Sequence, residues 1–204
     1  MKKIFFFFLL SICILETSAQ TLIENGQSSL EVKKAKKNGK WEVHTSRYFI
    51  SVADNEKKVQ VRIKLESQTG DHVIIDPNKF FVLVDEYKIR VRPMDLKYPF
   101  ALASIAFVRL IKENEYGRGN TVRGGYARDG SIVDTFGDYA ISGYQDIETT
   151  LNYGTEKKPI LKTIYYKPND IKNSLIDIYF ALPKDVTQFS FYYGEIKIDD
   201  LTVK

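Results

Sequence analysis

The chain has 204 residues, 30 Lys and Arg against 26 Asp and Glu for a formal net charge of +4, two histidines and one cysteine. The positive excess is mild and interspersed, with no basic stripe of the kind that grips phosphates, so no nucleic-acid partner is expected. With Cys13 as the only thiol and His44 and His72 as the only imidazoles, neither disulfide frameworks nor Cys- or His-based metal centres have their ligands, and no cofactor is expected.

At the start, Lys2 and Lys3 lead into an apolar run from Ile4 to Leu15, and Thr17-Ser18-Ala19 places small residues where a signal peptidase reads. A charged, an apolar and a small-residue region in that order form a secretory signal peptide, here residues 1–19 with cleavage after Ala19. The run is too short to cross a hydrocarbon core of roughly 30 Å, and no later segment reaches about eighteen apolar residues, so no membrane span is expected. Residues 20–204 are then a single exported domain, periplasmic or extracellular. Lipidation of Cys13 is the competing reading, opposed by the bulk of Ile12 before it. Export without thiols leaves the hydrophobic core to hold the domain together.

Leu30 and Val32, then Trp41 and Val43, read as short strands flanking a basic turn at 33–40. Tyr48, Ile50 and Val52 continue on the other parity, which predicts a bulge or a turn near 45–47. Val59, Val61, Ile63 and Leu65 alternate with Gln60, Arg62, Lys64 and Glu66, a strand with one wet face. After the turn residues Asp76-Pro77-Asn78, the stretch 80–84 is apolar on both faces and reads as a deeply placed strand. Asp85-Glu86 forms a tight connection to a strand at 87–92, where Ile89 and Val91 alternate with a wet face of Lys88, Arg90 and Arg92. Within 101–112, Leu102, Ile105, Ala106 and Leu110 fit a helical face while Ile105, Phe107 and Ile111 fit a strand; the helical spacing is slightly favoured. From Glu115 to Gly143 seven glycines lie among Arg, Asp and Tyr, an irregular stretch within a long central insertion at about 94–159.

Regular alternation then returns. Ile176, Ile178, Phe180 and Leu182 share a face until Pro183, as do Phe189, Phe191 and Tyr193, and then Ile196 and Ile198. The two-residue link Gly194-Glu195 suits a type II′ hairpin. Short alternating strands with frequent turn signals predict an all-β fold, an antiparallel β-sandwich with a long central insertion containing at most a short helix.

The strand at 59–66, the pair 80–84 and 87–92, and the ending Ile176-Asp177-Ile178-Tyr179-Phe180-Ala181-Leu182-Pro183 before a final hairpin resemble the exported bacterial immunoglobulin-like domains of the telokin-like family. The resemblance covers about 30–92 and 162–203, and the segment 94–159 has no counterpart in it. It implies an immunoglobulin-like sandwich outside the cytoplasm and carries no catalytic residues.

His44 and His72 have no Gly-x-Ser-x-Gly elbow to serve and read as surface or strand-edge residues. Asp134 with Asp138 is a possible carboxylate pair; Asp199-Asp200 follows the last strand, where charge protects an edge. Asp129, Ser131 and Asp134 have no EF-hand spacing, so no metal site is assigned. The most unusual stretch places Arg118, Arg123 and Arg128 every five residues with Tyr116 and Tyr126 between them. Arg and Tyr dominate interface hot spots, and Arg grips carboxylate or phosphate in a fork. These five are the candidate binding residues, with a glycine-rich loop kept soluble by charge as the bland reading. Tyr165-Tyr166 and Tyr192-Tyr193 offer a second possibility, a sugar-stacking face. The expected function is that of a non-enzymatic exported β-sandwich binding a protein or cell-envelope component through its loops. The alternatives are a carbohydrate-binding module using exposed tyrosines and a hydrolase with its site in 115–143.

Overall fold

The computed structural model describes residues 21–25, 28–39, 44–45, 48–49, 53–98, 107–112, 120–121, 132–152, 157–158 and 160–203. The alternating run expected around 59–66 becomes the longest fully paired strand. β5 (Glu56–Ser67) runs antiparallel to β16 (Asn173–Pro183), from Asn173 opposite Glu66 to Pro183 opposite Glu56. Beyond β5 lie β2 (Ser28–Gly39) and β1 (Thr21–Asn25); beyond β16 lies β9 (Asp95–Lys97). The second sheet has the order β12 (Gln145–Ile147), β8 (Ile89–Val91), β7 (Phe80–Val84), β17 (Gln188–Tyr193) and β18 (Ile196–Thr202). Its pairs are antiparallel apart from β12, which runs parallel to β8. A smaller sheet holds β11 (Asn120–Thr121), β10 (Arg109–Ile111), β14 (Leu161–Tyr166) and β13 (Thr150–Asn152). β15 (Asn169–Ile171) pairs with β6 (Val73–Ile75), and β3 (His44–Thr45) with β4 (Tyr48–Phe49).

The fold is all-β. Period-two burial makes it a sandwich: Val59, Val61, Ile63 and Leu65 of β5 and Ile176, Ile178, Phe180 and Leu182 of β16 are fully buried. They share one core with Phe80, Val82, Val84, Val91, Phe189 and Phe191 of the second sheet. Phe180 meets Phe191 edge-on across the interface, ring centroids 6.1 Å apart. Fully burying such a side chain stabilises by about 1.5–3 kcal/mol, the source of stability for a chain whose single cysteine allows no internal disulfide. Pro93 marks where one extended stretch changes sheets. Arg92 N donates to Ile147 O in the second sheet at 3.2 Å, whereas Met94 N donates to Tyr179 O in the first at 2.8 Å.

Several expectations need correction. The basic stretch 33–40 is no turn: β2 carries Lys33, Lys34, Lys36 and Lys37 along β5, with a register shift between Val32 and Lys34. The long unpaired side of β5 recruits this backbone whatever its charge, and lysine is a common guard of sheet margins. The β7–β8 connection uses four residues, 85–88, because Tyr87 N bonds Val84 O and Lys88 N bonds Asp85 O in successive turns, leaving Lys88 at φ 50°. Asp199 and Asp200 lie within β18 and not after it. In 101–112, the portion 109–111 is the strand β10, since β14 offers it a ladder; residues 101–106 lie outside the described residues, as do Trp41, Val43, Ile50 and Val52. The expected break near 45–47 falls between the paired strands β3 and β4.

The last hairpin has Tyr193 opposite Ile196, with Gly194 at φ 58° and Glu195 at negative φ, the type II′ pattern. A Cβ at Gly194 would lie 3.1 Å from Tyr139 Cε1. Gly194→Ala therefore adds left-handed strain to a tight approach on the Tyr139 ring. The expected loss is about 1–3 kcal/mol of unfolding free energy in urea titration; an unchanged midpoint would contradict this turn geometry.

Candidate functional site

Strand neighbours point to opposite faces, so while Val91 enters the sandwich core, Arg90 and Arg92 point outward from β8. This face was expected to be wet, yet both arginines are 0 % exposed. The correction has a direct cause, because residues 132–147 cross over that face. Arg90 Nε and Nη2 donate to the two oxygens of Asp146 at 2.7 Å each, and Nη2 also donates to Phe136 O at 2.9 Å. Arg92 Nη2 and Nη1 donate to Asp134 at 2.6 and 3.2 Å. The Phe136 ring stands against both guanidinium groups, 3.9 Å from Arg90 and 4.6 Å from Arg92. Arg90 Nη1 and Arg92 Nε are buried without a hydrogen-bond partner, so stacking on the ring is what offsets their loss of water. A planar guanidinium can make a carboxylate fork and a ring stack together, which lysine cannot.

Asn78, in the 3-10 turn Pro77–Lys79 capped by Asp76, extends this polar layer. Its side-chain amide donates to Tyr166 O and accepts from Tyr166 N, each at 2.7 Å, reproducing a strand pair with β14. Thr135 Oγ1 donates to Asp76 Oδ2 at 2.6 Å, which ties the crossing segment to the same turn. A third buried pair joins Arg109 of β10 to Asp95 of β9.

Around the clamp, Phe81, Leu83 and Phe136 form a second apolar cluster with half-buried Tyr139, Ile141, Tyr144 and Tyr192. Tyr192 lies flat on Phe81, centroids 5.2 Å apart, and Lys88 Nζ sits 5.0 Å over the Tyr144 ring. Tyr144 Oη donates to Asp85. Beside this cluster a groove of about 420 Å³ is lined by Leu83, Asp85, Glu86, Gln188, Ser190 and Asp200, among others. A second cleft, about 460 Å³, opens between the sheets with Ile89, Val91, Ile147, Ala181 and Pro183 as its apolar lining. Tyr87 Oη donates to Asp185 at its rim, and that hydrogen bond raises the Tyr87 phenol to about 12.

The sequence-derived candidates fare unequally. Tyr116, Arg118, Arg123, Tyr126 and Arg128 lie outside the described residues, as does Asp129 with Ser131. Tyr166 is fully buried and Tyr165, Tyr179 and Tyr193 are 1–5 % exposed, so none of these rings offers a face to a sugar. Tyr192 is half-buried in the cluster with Tyr139 and Tyr144. Asp134 is bound by Arg92, while Asp138 is exposed on the 3-10 turn Phe136–Tyr139. Exposed His72 lies 3.3 Å from Asp170, and His44 falls in β3. Among the described residues no group of three His, Cys, Asp or Glu converges on a metal position, and no helix is long and apolar enough to cross a membrane. Sequence reasoning missed Arg90, Arg92, Asp146 and Asn78. The available signal was two arginines on a strand parity beside an all-apolar strand.

No family model, no curated protein and no solved structure matches this chain.

Burial pushes the Asp134 carboxyl up, but the hydrogen bonds and charge of Arg92 outweigh it and hold the group below the ordinary carboxylate value. A depressed folded value makes the ionised form stabilising above the unfolded pKa of about 3.9. That contribution disappears as pH falls from about 4 through the folded value. Asp134→Asn should be clearly less stable than wild type at pH 7, and the gap should narrow at pH 3 in urea titrations. A gap of equal size at both pH values would contradict the ion-pair assignment.

Proposed function

We propose that the protein is an exported, non-enzymatic β-sandwich module that binds a protein or cell-envelope component through its loops and edges. Signal-peptide cleavage after Ala19 would deliver it to the periplasm or beyond. The observation that carries the reading is where the chain spends its polar chemistry. Asp95, Asp134 and Asp146 are each engaged by a buried arginine, so they hold segments onto the sandwich and are not poised as general acids or bases. Such a clamp presents a fixed surface, and binding surfaces gain affinity when they are ordered before the partner arrives. The Arg118, Arg123 and Arg128 stretch with Tyr116 and Tyr126 belongs to the segment that precedes the clamp in sequence. An immunoglobulin-like strand plan, suggested by the telokin-like resemblance, is consistent with loop-based recognition.

Residues 20–204 bearing a photo-crosslinker should capture a discrete envelope protein. Replacing Arg118, Arg123 and Arg128 together by Ala should cut its yield by about tenfold, the effect of losing about 1.4 kcal/mol of binding. No captured partner, together with affinity for a purified envelope glycan, would move the assignment to carbohydrate. Turnover of any offered glycoside or peptide bond would overturn the non-enzymatic reading.

A further inference from the structure

Among the described residues, the side of β16 that faces away from β5 is only partly paired. β9 pairs only with Asp177, Ile178 and Tyr179 of the eleven-residue β16. Met94 N takes the Tyr179 carbonyl, and at Pro93 the chain departs for the second sheet. Main-chain groups alternate sides along a strand, so those of Ala181 point the same way as those of Tyr179, to where β9 has ended. Pro183 shares that parity, and a proline is tolerated in a strand where its missing N–H would face an open edge. The cleft between the sheets opens at this position. Its floor of Ile89, Val91, Ile147 and Ala181 is apolar, and its rim carries the carboxylates Glu56 and Asp185, with no Lys or Arg among the lining residues. No described residue pairs with Ala181 on this side, and a strand edge left open beside an apolar slot is the arrangement that accepts an added strand, the edge supplying hydrogen bonds and the slot choosing alternate side chains.

Building on the binding reading above, we propose that the cleft beside Ala181 takes an extended peptide segment of a partner protein that adds to β16, with an aliphatic side chain in the slot and Lys or Arg facing Glu56 and Asp185. The Tyr87–Asp185 bridge bounds the cleft where the β7–β8 and β16–β17 connections meet. The acidic rim selects against an acidic strand, since like charges at a shared edge repel.

The probe is a labelled, end-capped peptide Lys-Val-Lys-Val-Lys titrated against residues 20–204 by fluorescence anisotropy. Saturable binding is expected, weakened at least about tenfold by backbone N-methylation of the peptide, which blocks strand pairing and leaves the protein untouched. Ala181→Pro should weaken it to a similar extent without unfolding the domain, and a Glu-Val counterpart should not bind. No saturable binding, or equal binding by the N-methylated peptide or by folded Ala181→Pro, overturns the edge site. An envelope partner captured in undiminished yield by Ala181→Pro would sink this site alone and leave the broader binding reading standing.

Discussion

Two arginines on the outer face of β8 set the terms for the rest of the molecule. A guanidinium withdrawn from water needs a counter-ion and hydrogen bonds, and removing one partner of a buried pair costs about 3–5 kcal/mol. Arg90 and Arg92 obtain theirs from Asp146 and Asp134, residues that flank the 3-10 turn carrying Phe136. Neither arginine is tolerable unless residues 132–147 lie across the sheet, and the same segment buries Phe81 and Leu83 beneath Phe136. β12 then follows as a consequence, pairing parallel to β8 with Gln145 N on Lys88 O at 2.8 Å. The clamp makes residues 132–147 a third layer over that face.

That layer decides which surfaces of the second sheet stay covered. It covers Phe81 and Leu83, which would otherwise be an exposed apolar face, and pairs Asp146 and Asp134 with the two arginines. What it leaves open is the margin of the sandwich: the acidic and hydroxyl-bearing groove by β17 and β18, and the cleft between β8 and β16. Both margins are guarded differently. β18 carries Lys197, Asp199 and Asp200 and, opposite Phe191/Tyr192 of β17, a register shift, devices that discourage a further strand. β16 at Ala181 has no such charge on its own small side chain.

The fold was legible where one physical rule governed a long stretch. Alternation in β5, β16 and β17 marks one buried face apiece, and the all-apolar 80–84 marks a strand covered on both sides. The same rule misread Arg90 and Arg92, because period two separates the faces of a strand without saying what covers them. The covering depends on Asp134 and Asp146, 42 and 56 residues away, and nothing local encodes that distance. The apolar 80–84 was the missed hint: if Phe81 and Leu83 are covered on their outer face, the neighbouring Arg90 and Arg92 on the same face must be covered too. In β2 local charge suggested a turn, and pairing with the long β5 prevailed. The tyrosine pairs were ambiguous for another reason, since either ring of adjacent residues can face the core. Only the burial of the Tyr166 ring with its hydroxyl on Pro93 O, and the stacking of Tyr192 on Phe81, distinguish them.

The central claim is that the paired arginines hold the outer layer down, and amide hydrogen exchange tests it most directly. In an Arg90→Met/Arg92→Met variant, amides of 145–147 should lose their protection and exchange like an exposed turn. Those of β5 and β16, on the far sheet, should keep the slow exchange of the wild type. Wild-type protection at 145–147 in that variant would contradict the account.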